Sequence, residues 1–286
     1  MQNKVYIINS RGEKELFSLK KVYRSAKRAG ASPSFAKEIA RTIEKEIYPE
    51  IKTSEIFSKV KRMLKKEKPS SALKFSLKKA MRKLGPTGFP FEKYIGEILS
   101  RSGYNVKLNQ TIPGHCCYYE IDFLAKKNNI LYVGECKYRN LAGGVVHSDI
   151  ALANYARFID IKQGNFLKKK SNHYFEPKNK IKSILVTNTK FTSRTIRYSE
   201  CVGVNLLGWN YPRNKGLEYL IDNERLYPIT ILDSLRQYMS NVFVERRMML
   251  VQNLLEINPD KFSRETKIPK NHLMKVIGEA RALIKG

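Results

Sequence analysis

Three residues in the middle of the chain have side chains that can act together on a phosphate ester. Asp122 lies in one short apolar run, and Glu135 and Lys137 lie in a second run that follows a polar stretch at 126–129. Carboxylate oxygens are the ligands that Mg²⁺ or Mn²⁺ takes in proteins, and a nearby ammonium group can orient water or stabilise charge on a phosphoryl oxygen. We therefore predict a metal site at Asp122 and Glu135, with Lys137 beside it.

A β-hairpin would place these three residues together. Both runs are rich in Ile, Leu, Val, Phe and Tyr, and the polar stretch between them contains Asn128 and Asn129, which favour a turn. Side chains alternate along a strand, so Glu135 and Lys137 should share one face while Cys136 takes the other.

The spacing D-x12-E-x-K resembles the core of the PD-(D/E)xK nuclease superfamily, and the surrounding sequence is most similar to Mrr-type restriction endonucleases. The resemblance covers about residues 89–212. It implies a restriction-endonuclease-like α/β fold, with a mixed central sheet flanked by helices. It also implies an acidic residue on a preceding helix, which we assign to Glu92, at the edge of the apolar stripe of a helix predicted from Phe91. The alternative for Glu92 is an ordinary glutamate near a helix N-terminus.

Residues 1–84 predict a hairpin followed by several short helices, with Ser18 capping the first helix and Ser32-Pro33 starting the second. This segment resembles the ATP-cone, a small regulatory domain that binds nucleotides. The resemblance implies ATP or dATP binding at the hairpin turn, where Arg11 and Gly12 lie, and at Lys21. The family usually has a Lys-Arg pair in that turn, where this chain has Asn9-Ser10-Arg11-Gly12. The alternative is a helical module that contacts DNA or a partner.

Residues 213–286 predict a separate helical segment. Its last part has a short helix that begins at Pro259, a turn at 267–269 and a final helix with apolar residues at a period of 3.6. This resembles the helix-hairpin-helix modules that bind DNA phosphates through backbone N–H groups. The hairpin glycines are absent, and a packing or dimerising bundle is the alternative. We therefore predict three domains, at 1–84, 85–212 and 213–286, with the boundary at the turn Gly85–Gly88.

The composition favours a polyanionic partner. The chain has 54 Lys and Arg residues against 26 Asp and Glu residues, a formal net charge of +28, and such a field attracts nucleic acid. The basic stretch Lys168–Lys182 contains aromatic residues and predicts a loop that faces DNA. No apolar run is long enough for a membrane span, so we predict a cytoplasmic protein that does not bind a membrane. The four cysteines lack metal-ligand spacing and are expected to be buried free thiols.

These features predict a metal-dependent endodeoxyribonuclease that ATP or dATP regulates. A homodimer is expected, because cutting both strands requires two active sites or sequential nicking. The alternative is a nucleotide-responsive DNA-binding protein whose nuclease-like core is inert.

Overall fold

The computed structural model describes residues 5–84, 91–164 and 180–285. They form a mixed α/β structure with a five-stranded mixed sheet flanked by helices. Two compact units are present, one made of Met1–Lys83 together with Tyr227–Gly286, and the other of Leu84–Leu226.

The first segment is a hairpin followed by five helices. Strands β1 (Tyr6–Ile8) and β2 (Lys14–Leu16) pair antiparallel, and the helices are α1 (Leu19–Arg28), α2 (Pro33–Glu46), α3 (Thr53–Glu67), α4 (Pro69–Phe75) and α5 (Leu77–Met81). The predicted starts of the first two helices are confirmed, because the Ser18 and Ser32 hydroxyls accept hydrogen bonds from the N–H groups of Lys21 and Phe35. The buried apolar side chains of this segment form a core that includes Ile7, Ile39, Ile43, Val60 and Leu64.

The middle segment contains the sheet. Its elements in chain order are α6 (Phe91–Arg101), β3 (Asn105–Pro113), β4 (Tyr118–Lys127), β5 (Ile130–Lys137), β6 (Val145–Val146), α7 (Ser148–Gln163), β7 (Lys180–Thr187), β8 (Lys190–Phe191), α8 (Ser193–Val202), β9 (Asn205–Leu207) and α9 (Leu217–Asn223). The sheet order is β3-β4-β5-β7-β9. Strands β3, β4 and β5 are antiparallel, whereas β7 runs parallel to both β5 and β9. A parallel neighbour needs a crossover, and α7 lies in the connection from β5 to β7.

The predicted hairpin at Asp122 and Glu135 is confirmed. Strands β4 and β5 pair antiparallel from Phe123↔Gly134 to Lys127↔Ile130. The turn is shorter than the predicted polar stretch, because residues 126 and 127 belong to β4. Asn128 adopts a φ of 53°, a left-handed conformation that Asn tolerates better than most residues.

The last segment is helical. It contains a 3-10 turn at Ile229–Ile231 and helices α10 (Gln237–Glu245), α11 (Val251–Leu255), α12 (Pro259–Thr266) and α13 (Lys270–Lys285). This segment packs on the first one. The Thr230 hydroxyl donates to the carbonyl of Ala80 at 3.0 Å, and the Lys61 ammonium lies 2.5 Å from the Asp233 carboxylate.

The structure therefore divides the chain differently from the three-domain prediction. Residues 213–226 belong to the same unit as the sheet, and 227–286 form one unit with the first 83 residues. The reason is a packing surface shared by α4 and α13 and by α5 and the 3-10 turn, between residues far apart in sequence. The predicted boundary turn Gly85–Gly88 lies outside the described residues.

Three further expectations concern the cysteines, the basic stretch and membrane spans. Cys136 is buried as predicted, but the prediction was wrong for Cys116, Cys117 and Cys201, which are exposed. In the predicted loop Lys168–Lys182, residues 180–182 belong to β7, and residues up to 179 lie outside the described part of the chain. No helix among the described residues is long and apolar enough to cross a membrane.

Candidate active site

The hairpin of β4 and β5 brings Asp122 and Glu135 side by side. The last ladder pair in this direction is Phe123↔Gly134, so the next step of the antiparallel register places Asp122 beside Glu135. The Asp122 carboxylate also accepts a hydrogen bond of 2.6 Å from the backbone N–H of Cys136. The carboxylate is thereby held against the neighbouring strand.

Arg157 of α7 completes this arrangement. Its guanidinium forms a hydrogen-bonded ion pair with the Glu135 carboxylate, and the two side chains are only 27% and 23% exposed. Phe158 and Ile161, which follow Arg157 on the same helix, pack into the apolar cluster under β4 and β5. The packing of α7 on the sheet therefore fixes the position from which Arg157 reaches Glu135.

The two carboxyl groups have raised pKa values. Burial raises the pKa of Asp122, while the Cys136 N–H group and the charges of Arg157 and Lys137 oppose the rise. Burial also raises the pKa of Glu135, and the negative charge of Asp122 raises it further. Arg157 and Lys137 lower it, without cancelling the effect of burial. A pair of carboxylates that repel each other in a partly buried place favours a bound cation.

Lys137 lies close to this pair. Its charge lowers the pKa of both carboxyl groups, and alternation along β5 puts it on the same face as Glu135. The carbonyl of Lys137 accepts a hydrogen bond of 2.6 Å from the Thr187 hydroxyl. The strand is thus anchored to β7 at the position of the lysine.

Glu92 approaches from the other face of the sheet. Helix α6 packs on β3 and β4, and the rings of Phe91 and Tyr138 are 5.9 Å apart. Burial raises the pKa of the Cys136 thiol strongly, and the charges of Asp122, Glu92 and Glu135 add to this rise. Cys136 therefore has Glu92 near it as well as the carboxylate pair.

Asp122 and Glu135 are the two carboxylates that could hold a divalent cation at this place. No group of three or more His, Cys, Asp or Glu side chains within residues 5–84, 91–164 and 180–285 is arranged to hold a metal ion. The predicted third acid is thus not brought into one cluster with the pair. Two carboxylates are enough for Mg²⁺, which usually keeps several waters and binds through one or two carboxylates plus substrate phosphates.

The residues predicted to bind nucleotide lie at the start of the first segment. Arg11 and Gly12 are in the turn of the β1–β2 hairpin, where Gly12 has a φ of 81°, and the Arg11 guanidinium lies 3.3 Å from the Glu13 carboxylate. Lys21 is in the first turn of α1, and its ammonium lies 3.6 Å from the Glu15 carboxylate. Lys21 lines a cavity of about 170 Å³, which is smaller than most ligand pockets. Arg11 and Gly12 do not line it.

The turn between α12 and α13 has a defined geometry. Lys267 ends α12 with a φ of 57°, a left-handed conformation that favours glycine. The Ser263 hydroxyl donates to the carbonyl of Ile268 at 2.7 Å, and Ile268 is buried. The turn is therefore well packed without a glycine.

Comparisons with known proteins match a large part of the chain. A family model described as AF1548-like, C-terminal, matches residues 227–284. An uncharacterized protein from Archaeoglobus fulgidus is 29% identical over 192 residues, which cover 66% of this chain and 99% of the relative. The crystal structure of a protein of unknown function, AF1548, is similar to 68% of this chain over 97% of its own length, with a TM-score of 0.55 and 29% identity. About a third of this chain lies outside each of these two alignments.

Sequence reasoning did not find Arg157. The available signal was its spacing on α7, where Ala151, Asn154 and Ile161 form a buried stripe at helical intervals. Arg157 lies three residues after Asn154, on that stripe. A charged side chain on a buried stripe requires a charged partner, and the structure identifies it as Glu135.

Proposed function

We propose that this protein is a metal-dependent endodeoxyribonuclease that hydrolyses phosphodiester bonds of DNA. The observation that carries this proposal is the pair of partly buried carboxylates, Asp122 and Glu135, with Lys137 and Arg157 beside them. Acidic ligands for a cation and cationic groups for a phosphate are thus close together. The net charge of +28 supports DNA as the polyanion.

We further propose that Leu84–Leu226 is a restriction-endonuclease-like core. The support is the order of its elements, in which a helix and three antiparallel strands are followed by a crossover helix and a parallel strand. The resemblance of Asp122, Glu135 and Lys137 to the PD-(D/E)xK pattern falls on β4 and β5 of this sheet.

Each residue has a distinct role in the proposed reaction. Asp122 and Glu135 would hold Mg²⁺ or Mn²⁺, which when bound neutralises phosphate charge and lowers the pKa of a bound water. Lys137 donates hydrogen bonds to a phosphoryl oxygen and stabilises the charge that develops there. Glu92, on the α6 side, lies outside the cluster of Asp122 and Glu135 and is given no ligand role in this proposal.

Plasmid cleavage tests the proposal. Supercoiled DNA, unmodified and methylated, is incubated with Mg²⁺ or Mn²⁺ and with wild type, Asp122→Asn, Glu135→Gln or Lys137→Ala. We expect each substitution to lower the cleavage rate by about 10²-fold or more, because each removes a group that acts where charge accumulates. Glu97→Gln is the matched control, since Glu97 is an exposed glutamate of α6 that pairs with Arg101. Wild-type rates in Asp122→Asn would show that the site is elsewhere.

We propose in addition that ATP or dATP binds the first segment and regulates cleavage. Calorimetric titration with each nucleotide is the test, with Lys21→Ala compared with Lys20→Ala, its neighbour in the same turn of α1. We expect loss of binding only for Lys21→Ala. No heat at millimolar nucleotide with wild type would contradict this part of the proposal.

A second candidate function is DNA binding without hydrolysis. Two observations favour it. Glu135 already forms an ion pair with Arg157, and no three His, Cys, Asp or Glu side chains among the described residues are arranged to hold a metal ion. Retarded DNA on a gel, with no metal-dependent cleavage of duplex, nicked, branched or methylated substrates, would select this candidate.

A further inference from the structure

We infer that Arg157 binds the DNA phosphodiester when a divalent cation occupies the site. Until then, the Arg157 guanidinium stays paired with the Glu135 carboxylate. The inference rests on the proposed function. The Arg157 guanidinium would have two alternative partners, the Glu135 carboxylate and a DNA phosphate. The observation behind this inference is the ion pair between Arg157 and Glu135.

The position of Arg157 allows it to reach both partners. Its helix is fixed by Phe158 and Ile161 in the cluster under β4 and β5, and the Arg157 side chain is about a quarter exposed. A long side chain on a fixed helix can change its partner by rotation about its own bonds, without movement of the backbone. The planar guanidinium can donate two parallel hydrogen bonds to a phosphate as well as to a carboxylate.

The charges around the pair explain why the partner should change. Asp122 and Glu135 are opposed by Lys137 and Arg157, so the charges of this group cancel when no cation is bound. A divalent cation on the carboxylates leaves an excess of positive charge, and it repels the guanidinium at short range. A phosphodiester supplies the negative charge that is then missing. Cation binding should therefore release Arg157 from Glu135. The same event makes the site positive, so that Arg157 can bind a phosphodiester there.

Metal affinity provides the first test and does not depend on cleavage. The thermal unfolding temperature is followed during titration with Mn²⁺ for wild type, Arg157→Ala and Arg157→Lys. The unfolding temperature rises with the logarithm of the Mn²⁺ concentration, and its dependence gives the dissociation constant for Mn²⁺. We expect this constant to be about tenfold lower in Arg157→Ala, because a competing cation is gone. Arg101→Ala is the control, since Arg101 forms another Arg–Glu pair in the same unit, and its dissociation constant for Mn²⁺ should stay within twofold of wild type.

DNA affinity provides the second test. Fluorescence anisotropy measures binding of a labelled duplex in EDTA and in Ca²⁺, and a gel run afterwards verifies that the duplex is intact. Wild type should bind at least tenfold more tightly in Ca²⁺, whereas Arg157→Ala should lose this gain and Arg101→Ala should keep it. Arg157→Lys keeps the charge without the planar fork and should retain part of the gain.

The outcomes separate this inference from the proposed function. Weaker or unchanged Mn²⁺ binding in Arg157→Ala would overturn the inference, because Arg157 would then orient Glu135 or be indifferent to it. Wild-type DNA affinity of Arg157→Ala in Ca²⁺ would overturn it as well. If both tests give the expected results but no substrate is cleaved, the nuclease proposal fails while the exchange of Arg157 stands. Should Arg157→Ala not fold, Arg157→Gln, which also lacks the positive charge, replaces it in both tests.

Discussion

Burial of the two ionised carboxylates costs folding free energy when no metal is bound. Asp122 and Glu135 are both partly buried, and burial raises the pKa of each, with the Asp122 charge adding to the rise at Glu135. In the unfolded chain the two groups have ordinary pKa values, near 4. The pKa values of both groups are higher in the folded protein, so protonation favours the folded state. The stability that comes from the protonated carboxyl groups is fully present below about pH 4, and it is lost as the pH rises through the pKa values of the folded protein.

Neutralising one member of the pair should therefore stabilise the metal-free protein at neutral pH. At pH 7.5 in EDTA, we expect the unfolding temperature of Asp122→Asn to be higher than that of wild type by on the order of 2–4 °C. Near pH 4, the two proteins should unfold at the same temperature. Thermal unfolding followed by circular dichroism at both pH values measures the difference. Glu97→Gln, on an exposed pair of α6, should show no such dependence. A lower unfolding temperature for Asp122→Asn at pH 7.5 would mean that the pair stabilises the fold.

Metal removal reports on the same pair. Mg²⁺ or Mn²⁺ should raise the unfolding temperature of wild type in a concentration-dependent way, because a ligand that binds only the folded state stabilises it. EDTA should reverse the effect. Asp122→Asn and Glu135→Gln should show little of it, and an equal rise in these variants would place the cation elsewhere.

At the scale of elements, the hairpin depends on a glycine. Gly134 lies opposite Phe123 in the ladder, and a Cβ on Gly134 would lie 2.1 Å from a carbon of the Phe123 ring. Phe123 is fully buried, so its ring has little room to move. The missing side chain at residue 134 is what allows this ring to cross β5, next to Glu135.

Gly134→Ala should consequently destabilise the protein by about 1–3 kcal/mol, the usual cost of overpacking a core. Urea unfolding measures this cost. Gly278→Ala is the matched control, because Gly278 lies within α13 with open space around it. The control should be neutral or stabilising by up to about 1 kcal/mol. Equal stability of Gly134→Ala and wild type would show that the Phe123 ring can be displaced freely.

The turn between α12 and α13 offers a test of DNA binding by the last segment. Lys267→Gly removes both the left-handed strain and the charge, whereas Lys267→Ala removes only the charge. Glycine should be more stable than alanine here by about 1 kcal/mol. If the turn contacts phosphates, both variants should bind duplex DNA more weakly by the same factor. Unchanged affinity in both would favour the packing interpretation.

Local sequence patterns predicted the elements that carry the site. The hairpin at Asp122 and Glu135 and the helix from Phe91 were recognisable because alternation, turn residues and apolar stripes act over fewer than about 20 residues. The pairing of Arg157 with Glu135 joins residues 22 apart on different elements, and the Thr230–Ala80 hydrogen bond joins residues 150 apart. No local pattern specifies such contacts, which is why the site was predicted without its arginine.

At the scale of the whole molecule, the charge of +28 sets the expected salt dependence of DNA binding. Neutralising six or more phosphates would reduce the affinity by on the order of 10³-fold between 50 and 200 mM KCl. Fluorescence anisotropy with a duplex of unrelated sequence measures the slope. A slope near zero would mean that the positive charge is only a solvated surface.

The unit built from both chain ends has a consequence for synthesis in the cell. The first 83 residues leave the ribosome long before Tyr227–Gly286, with which they form one unit. At about 5–20 residues per second, the delay until the last residue of this unit is synthesised amounts to roughly 10–40 s. During that time the nascent chain carries α5 without the 3-10 turn whose Thr230 hydroxyl binds the Ala80 carbonyl. Completion of the first unit therefore has to wait until the central sheet has been synthesised.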